Sequence, residues 1–198
     1  MNPDATYQLL RNLTSPVVAI TSERAGKRNA MISDSAARAS IVPTMPRLSV
    51  YVHKFNLSHD MIFETGRFVL HLLREDQVEL VHRLGFASGR TRDKLADVAH
   101  HLGRLGAPVL DDCYAHFECR VVNVMDTGSS TCFLGDVVEV GYGAASAPRG
   151  LVMTAAYFRA NMPEEWVKGY EDHLAAAQRS AEARSRDLRA VVWKGLKS

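Results

Sequence analysis

The chain has 198 residues, 46% of them hydrophobic and 23% charged, and its 24 basic and 22 acidic side chains leave a formal net charge of +2. This balance describes a soluble globular chain of one domain, or one domain with an appendage, able to bury about two thirds of its unfolded surface. It offers no electrostatic footprint for nucleic acid, and no run of about 18 apolar residues could cross a bilayer, so neither nucleic acid nor membrane is an expected partner.

Residues 3–12 begin with Pro3-Asp4 and space Tyr7, Leu9, Leu10 and Leu13 as a short amphipathic helix does. No basic segment leads into an apolar core there. Cys113, Cys119 and Cys132 are odd in number and far from CxxC spacing, so reduced thiols and a cytoplasmic location are expected. Residues 16–21 are β-rich and end in the polar run 23–28, which predicts a hairpin between 16–22 and 29–35. Beyond the proline loop 43–46, residues 48–53 alternate apolar and polar as a strand does.

Ser58 is predicted to cap a helix that runs through Thr65 and ends at Gly66. Residues 68–73 have the continuous apolar character of a buried strand. A helix is expected over 75–84, with Leu80, Val81 and Leu84 facing inward and Gly85 stopping it. Residues 86–112 are irregular and polar, and they are expected to form a surface insertion with one helix around 93–102. Residues 116–124 and 131–140, separated by the turn Asp126-Thr127-Gly128, are predicted to pair antiparallel. A flexible stretch, 143–150, precedes a last strand at 151–158.

From Pro163 onward Trp166, Tyr170, Leu174, Ala177, Ala181, Leu188 and Val192 recur every three or four residues, the signature of a long helix. Glu164 and Glu165 at its start, and Arg184, Arg186, Arg189, Lys194 and Lys197 toward its end, complement its dipole. Little domain is left for it to cover, so its stripe is available to a second subunit. The expected architecture is α+β but mostly β: an antiparallel Greek-key barrel over 1–160 with peripheral helices, and a C-terminal helical extension over 161–198.

The common catalytic motifs are missing. Gly26-Lys27 lacks the upstream glycine of a P-loop, no GxGxxG follows a strand, and there is no GxSxG, HExxH or EF-hand loop. His100-His101 and Cys113-x2-His116-x2-Cys119 are the clusters that come nearest to a metal site. Adjacent helical histidines point about 100° apart, and positions 113, 116 and 119 do not share a strand face, so no metal ligands are assigned.

The segment 21–58 carries more chemistry. It holds Asn29-Ala30-Met31-Ile32-Ser33-Asp34-Ser35, then Ala39-Ser40, the proline loop, and a strand ending His53-Lys54-Phe55-Asn56-Leu57-Ser58. Small side chains let a flat ring approach the backbone, exposed amides bond its heteroatoms, and Lys54, Ser58 and a helix N-terminus offer a phosphate one cation and several donors. The same residues also suit a serine-rich hairpin with a solvated Lys54.

In their order and spacing, five blocks resemble the flavin reductase-like family of FMN-binding split barrels, in the version fused at the C-terminus of diflavin flavoproteins. They are Val18-Ala19-Ile20-Thr21; Asn29-Ala30-Met31 with Ala39-Ser40; Ser49-Val50-Tyr51-Val52-His53-Lys54; Arg67-Phe68-Val69-Leu70-His71-Leu72-Leu73; and His116-Phe117-Glu118-Cys119 with Phe133-Leu134-Gly135-Asp136-Val137. The resemblance covers about residues 15–160 and implies a homodimer binding FMN, or less often FAD, reduced by NADH or NADPH. Electrons then pass to an oxygenase partner or to oxygen. By position it implies that Asn29, Ala30, Met31, Ile32 and Ser33 present backbone to the ring, that Ser40, His53, Lys54 and Ser58 serve the ribityl chain and phosphate, and that Thr21 joins the cofactor-binding set.

The sequence also departs from the family. Where many members carry Gly-Asp-His before the Phe-x-Gly-Glu-Val strand, this chain reads Gly128-Ser129-Ser130-Thr131, so Ser130 replaces a histidine that lies near the nicotinamide. Ile32 replaces a frequent threonine, and the proline loop is longer than usual. His116 is the residue left to compensate as a catalytic group, although a histidine at a strand start also suits a structural role. Two alternatives follow: a non-catalytic FMN-binding protein or electron carrier, and a split barrel that holds haem through His53, His71 or His116.

Overall fold

A computed structural model describes Thr6, Leu10, Asn12, Leu13, residues 15–143 and residues 150–183. The predicted opening helix lies mostly outside the described residues, as does most of the stretch 143–150. Nine strands are described: β1 (Val18–Arg24), β2 (Lys27–Ser33), β3 (Ala36–Arg38), β4 (Arg47–His53), β5 (Arg67–Leu72), β6 (His100–Leu102), β7 (Pro108–Leu110), β8 (Ala115–Asp126) and β9 (Ser130–Tyr142). The described helices are α1 (Leu57–Thr65), α2 (Val78–Gly85), α3 (Ala155–Asn161) and α4 (Glu164–Ala183).

Seven strands form one antiparallel sheet in the order β2-β1-β5-β8-β9-β4-β3, while β6 and β7 pair separately. The two edge strands, β2 and β3, are consecutive in the chain and joined only by Asp34 and Ser35. That short link brings the sheet edges together at one end and curls the sheet into a half-barrel. Register shifts between Glu118 and Cys119 and between Val121 and Asn123 leave Val138 of β9 and Val122 of β8 as extra residues, bulges that bend a strand and tighten its twist.

The hairpin β1–β2 closes at Ala25 and Gly26, both at positive φ (51° and 82°), so the turn is two residues and the strands run further into the polar segment than predicted. β1 is buried on both faces. Val18 and Ile20 join Val50, Val52, Phe68 and Phe133 inside the barrel, whereas Ala19 joins Ala30, Leu73, Val81, Leu84 and Phe158 beneath α2 and α3. Two apolar layers on one strand explain why 16–21 reads as a continuous apolar run rather than an alternating one.

Several expectations need correction. Ser58 does not cap α1: Asn56 occupies the N-cap position without a side-chain cap bond, and Ser58 lies inside the helix, fully buried. Gly66, at φ 63°, ends that helix as predicted, its N–H donating to Ile62 O. α2 starts later than expected and includes Gly85. There is no helix at 93–102; His100–Leu102 pairs as a strand with Pro108–Leu110, and Leu95, Ala107, Val109 and Leu110 are buried. Residues 151–158 are not a strand. Val152 and Thr154 make single bridges to Arg74 and Pro16, and helix α3 begins at Ala155.

The long C-terminal helix is present as α4, and its basic end lies outside the described residues. Its first half packs on its own chain. Trp166 stacks on His82 of α2 at 4.1 Å, and Tyr170 lies 5.8 Å from Phe86 and 6.3 Å from Phe158, ring centre to ring centre.

Candidate functional site

Because β2 ends the sheet, the backbone groups on its outer edge have no strand partner among the described residues. A cavity of about 480 Å³ runs along that edge. Its floor is Asn29, Met31, Ile32 and Ser33. One end is polar, formed by Asn56, Leu57 and Ser58 at the start of α1 together with Ser88 and Gly89. The far wall is apolar and aromatic, formed by Leu84, Phe86, Phe158 and Tyr170, with His173, Ala177 and Ser180 of α4 at the mouth.

Hydrogen bonds hold the polar end in shape. Asn29 Nδ2 donates to Ser58 Oγ at 2.8 Å, which fixes β2 to the first turn of α1. Gly89 lies so close to Asn29 that a Cβ there would fall 1.9 Å from Asn29 Oδ1. Ser33 and Ser35 hydroxyls pair at 2.9 Å where the two edge strands meet. His53 reaches the cavity from the end of β4, and partial burial pushes its pKa below the ordinary histidine value, favouring the neutral ring.

Of the residues singled out in the sequence, Asn29, Met31, Ile32, Ser33, His53 and Ser58 thus line one cavity. The remaining side chains are engaged elsewhere. Thr21 Oγ1 donates to Pro108 O. Ala30 packs in the apolar layer beneath α2. Ser40 Oγ, in the loop after β3, accepts from Val42 N–H at 3.1 Å. Lys54 Nζ binds both carboxylate oxygens of Asp126, at 2.8 and 2.9 Å, with both side chains mostly buried.

His116 is not among the lining residues; it is the register partner of His71 across β5 and β8, and its ring presses on Gly141. His71 is fully buried, and burial lowers its pKa to about 3. Its Nε2 accepts from Leu110 N–H at 3.0 Å, so the neutral ring carries its proton on Nδ1, toward Ala19 O. His53 therefore stands apart from the other two histidines. Among the described residues no group of three or more His, Cys, Asp or Glu gathers as a metal site.

The sequence reading missed Lys94, a residue in the loop after α2. It is 5% exposed, it lines the cavity, and its Nζ donates to Leu84 O at 2.8 Å. Burial lowers its pKa to about 8. The polar composition of 86–112 pointed to solvent, and composition does not show which of Arg90, Arg92, Lys94 and Arg104 folds inward. Tyr170 was part of a helical stripe, and spacing does not name the surface a stripe meets; Phe86 fell in the segment expected to be a surface insertion, and His173 lies off the stripe.

A curled antiparallel sheet whose edges meet at one end, with a cavity along the open edge, is a split barrel. The flavin reductase like domain pattern matches residues 10–164, and the chain belongs to that family. A solved structure of similar fold is the FMN-binding protein from Thermus thermophilus with bound p-hydroxybenzaldehyde, 25% identical with a TM-score of 0.64, covering 71% of this chain and 79% of that one. Curated relatives include a high molecular weight rubredoxin from Moorella thermoacetica, 31% identical over 151 residues, and a ferric-chelate reductase (NAD(P)H) from Archaeoglobus fulgidus, 28% identical over 141. These matches cover 75% and 70% of this chain, and 63% and 80% of the relatives. The chain thus spans under two thirds of the rubredoxin relative's length. Helix α4 begins where the family match ends, so Tyr170 of the far wall and His173, Ala177 and Ser180 at the mouth lie beyond the matched region.

Proposed function

We propose that this chain is an NAD(P)H-dependent flavin oxidoreductase that holds FMN along the free edge of β2 and passes electrons on to an oxygenase or to oxygen. The observation that carries the reading is the pairing, within one cavity, of an unpartnered strand edge with a polar pocket at a helix start. A planar ring with alternating donors and acceptors suits the first, and an anionic tail suits the second.

A bound flavin supplies the two-electron chemistry between a nicotinamide and an acceptor. The chain supplies position and environment. Outer-edge amides and carbonyls of Asn29 to Ser33 hydrogen-bond the ring, Ser58 and Asn29 fix the spacing between β2 and α1, and Phe86, Phe158 and Tyr170 exclude water from one side. His53 faces the cavity and is the register partner of Ser130, the residue standing where many relatives have histidine. On this reading His53, rather than His116, takes the place beside the incoming nicotinamide.

Ser130 also favours a second reading, a flavin-binding electron carrier without turnover of its own. The test is to titrate purified protein with FMN or FAD, remove free flavin, and record the visible spectrum before and after anaerobic NADH or NADPH. Stoichiometric bound flavin that bleaches supports the oxidoreductase. Bound flavin that stays oxidised supports the carrier, and protein that retains no flavin removes both.

A homodimer is part of the proposal. Ile41, Val42 and Met45 of the loop between β3 and β4 and Tyr51 of β4 are exposed apolar side chains, Ile41 at 84%, and they suit burial against a second copy. Light scattering at micromolar concentration tests this. A cytoplasmic location is likewise proposed, since Cys113, Cys119 and Cys132 are all free thiols. No described helix is long and apolar enough to cross a membrane.

A further inference from the structure

We infer that a second, basic cleft beside the cavity recognises the 2′-phosphate of NADPH and sets the choice of electron donor, an inference that rests on the NAD(P)H-dependent reading above. The cleft has a volume of about 630 Å³ and shares Gly89 with the first cavity. Lys27 and Arg28 enter it from the start of β2, Arg90 and Arg92 from the loop after α2, and His100 from β6. Asp93 is the one acid among its described lining residues, and its Oδ1 accepts from Leu95 N–H at 3.0 Å. Neighbouring carboxylates are committed as well: Glu23 pairs with Arg67 at 2.6 Å, and Asp60 with Arg90 at 2.8 Å. Among the described residues Lys27, Arg28 and Arg92 are left without a carboxylate in ion-pair distance, three uncompensated cations in one cleft of a chain whose net charge is only +2.

Arg28 is held in place without being neutralised. His100 Nδ1 donates to Val98 O at 2.6 Å, so Nε2 is left to accept from Arg28 Nη1 at 3.2 Å. The other donors of that planar fork, together with Lys27 and Arg92, match a dianionic phosphate monoester better than a single carboxylate. Position selects which phosphate. At about 3.4 Å per residue along β2, Arg28 lies roughly 10 Å from Met31 and Lys27 roughly 20 Å from Ser33, so the cations stand a nucleotide's length from the cavity floor. On the proposed reading the tail of FMN ends beside Ser58, which leaves the outer cations to the other nucleotide. NADPH differs from NADH by its 2′-phosphate alone, and these side chains give that group a partner. All three cations are exposed, so the attraction is expected to weaken as salt rises.

The experiment uses the full chain and two ligands that differ only by the phosphate in question, 2′,5′-ADP and 5′-AMP, with affinities read by calorimetry at low salt. The unaltered chain is expected to bind 2′,5′-ADP at least about 10-fold more tightly, and Arg28→Gln and Arg92→Gln are each expected to cut that margin about 3- to 10-fold while 5′-AMP moves by less than about twofold. NADP+ and NAD+ are expected to follow the same ratio. Equal affinity for the two fragments in the unaltered chain, or a margin that survives in both variants, overturns the assignment. Lys168→Gln removes one exposed charge on α4 outside the cleft, and an equal loss there would reduce the effect to net charge and overturn it too. FAD that binds more tightly than FMN, with the excess lost in Arg28→Gln, would give the cleft to the adenylate half of a flavin instead. A chain that selects 2′,5′-ADP but retains no flavin supports the cleft and removes the oxidoreductase. A chain whose bound flavin bleaches equally with NADH and NADPH, and which ignores the 2′-phosphate, keeps the oxidoreductase and overturns the cleft.

Discussion

Asn29 on the edge strand β2 and Ser58 in the first turn of α1 share a 2.8 Å hydrogen bond, and both residues are at least 96% buried. The bond joins two walls of the cavity, so its loss is felt in stability and in ligand affinity alike. Ser58→Ala leaves a buried amide without its acceptor, and it is expected to cost about 1–3 kcal/mol in urea unfolding and to weaken FMN in the same preparation. A variant with wild-type midpoint and affinity would show the pair to be incidental.

Gly89 supplies an independent probe of the same corner. A side chain there collides with Asn29 Oδ1 at 1.9 Å, an approach no Cβ makes without moving its neighbour. Gly89→Ala is expected to displace the Asn29 side chain or the loop and to lower FMN affinity at least about tenfold, with a smaller effect on melting because the loop lies at the surface. Unaltered binding would mean that the cavity tolerates a shifted loop.

The barrel strands were legible in the sequence because their signals are local. The hairpin at Ala25-Gly26, the alternation of Arg47–His53 and the paired runs of β8 and β9 each rest on a few adjacent residues. Asn29, Met31, Ser33, His53 and Ser58 could be grouped because they fall in one short segment that holds a strand, a strand end and a helix start. What the sequence hid was non-local. Lys94 is one of many cations, and only the folded loop, which brings its Nζ to Leu84 O, makes it a buried one. Residues 151–158 have strand-like composition, yet Pro16 and Arg74 each offer them a single bridge before Thr154 caps α3 by accepting from Tyr157 N–H.

Lys54 and Asp126 tie the end of β4 to the end of β8, with side-chain exposures of 8% and 20%. Removing one partner leaves the other charge largely buried. Lys54→Met is expected to destabilise the fold by about 1–3 kcal/mol, and Lys54→Met/Asp126→Leu to recover part of that loss. A double variant no more stable than Lys54→Met would show that the two side chains do not act as a pair.

His71 makes acid stability measurable. Its folded pKa of about 3 lies below the unfolded value near 6.5, so between those limits the unfolded chain holds the extra proton. The stabilising contribution is complete above about pH 6.5 and is lost as pH falls toward 3, at up to about 1.4 kcal/mol per pH unit from this group. His71→Gln keeps a donor for Ala19 O and an acceptor for Leu110 N–H without titrating. It is expected to flatten the fall in urea midpoint between pH 6.5 and 4. Parallel pH profiles for the two proteins would assign the acid sensitivity to other groups.

The stack of Trp166 on His82 anchors α4 over the cavity wall, and Tyr170 and His173 follow it one and two turns along. Trp166→Ala is expected to cost about 1 kcal/mol of packing at that contact and to loosen the helix from α2. Ala177→Trp does the reverse: it leaves the anchor intact and places a large ring at the cavity mouth. If α4 is a wall of the working site, iodide quenches bound flavin more strongly in Trp166→Ala and less strongly in Ala177→Trp than in the unaltered protein. Reduction by nicotinamide should slow in Ala177→Trp, with flavin affinity little changed. Equal quenching in all three proteins would show that the helix stands clear of the ligand, and the wall would then be confined to Leu84, Phe86 and Phe158.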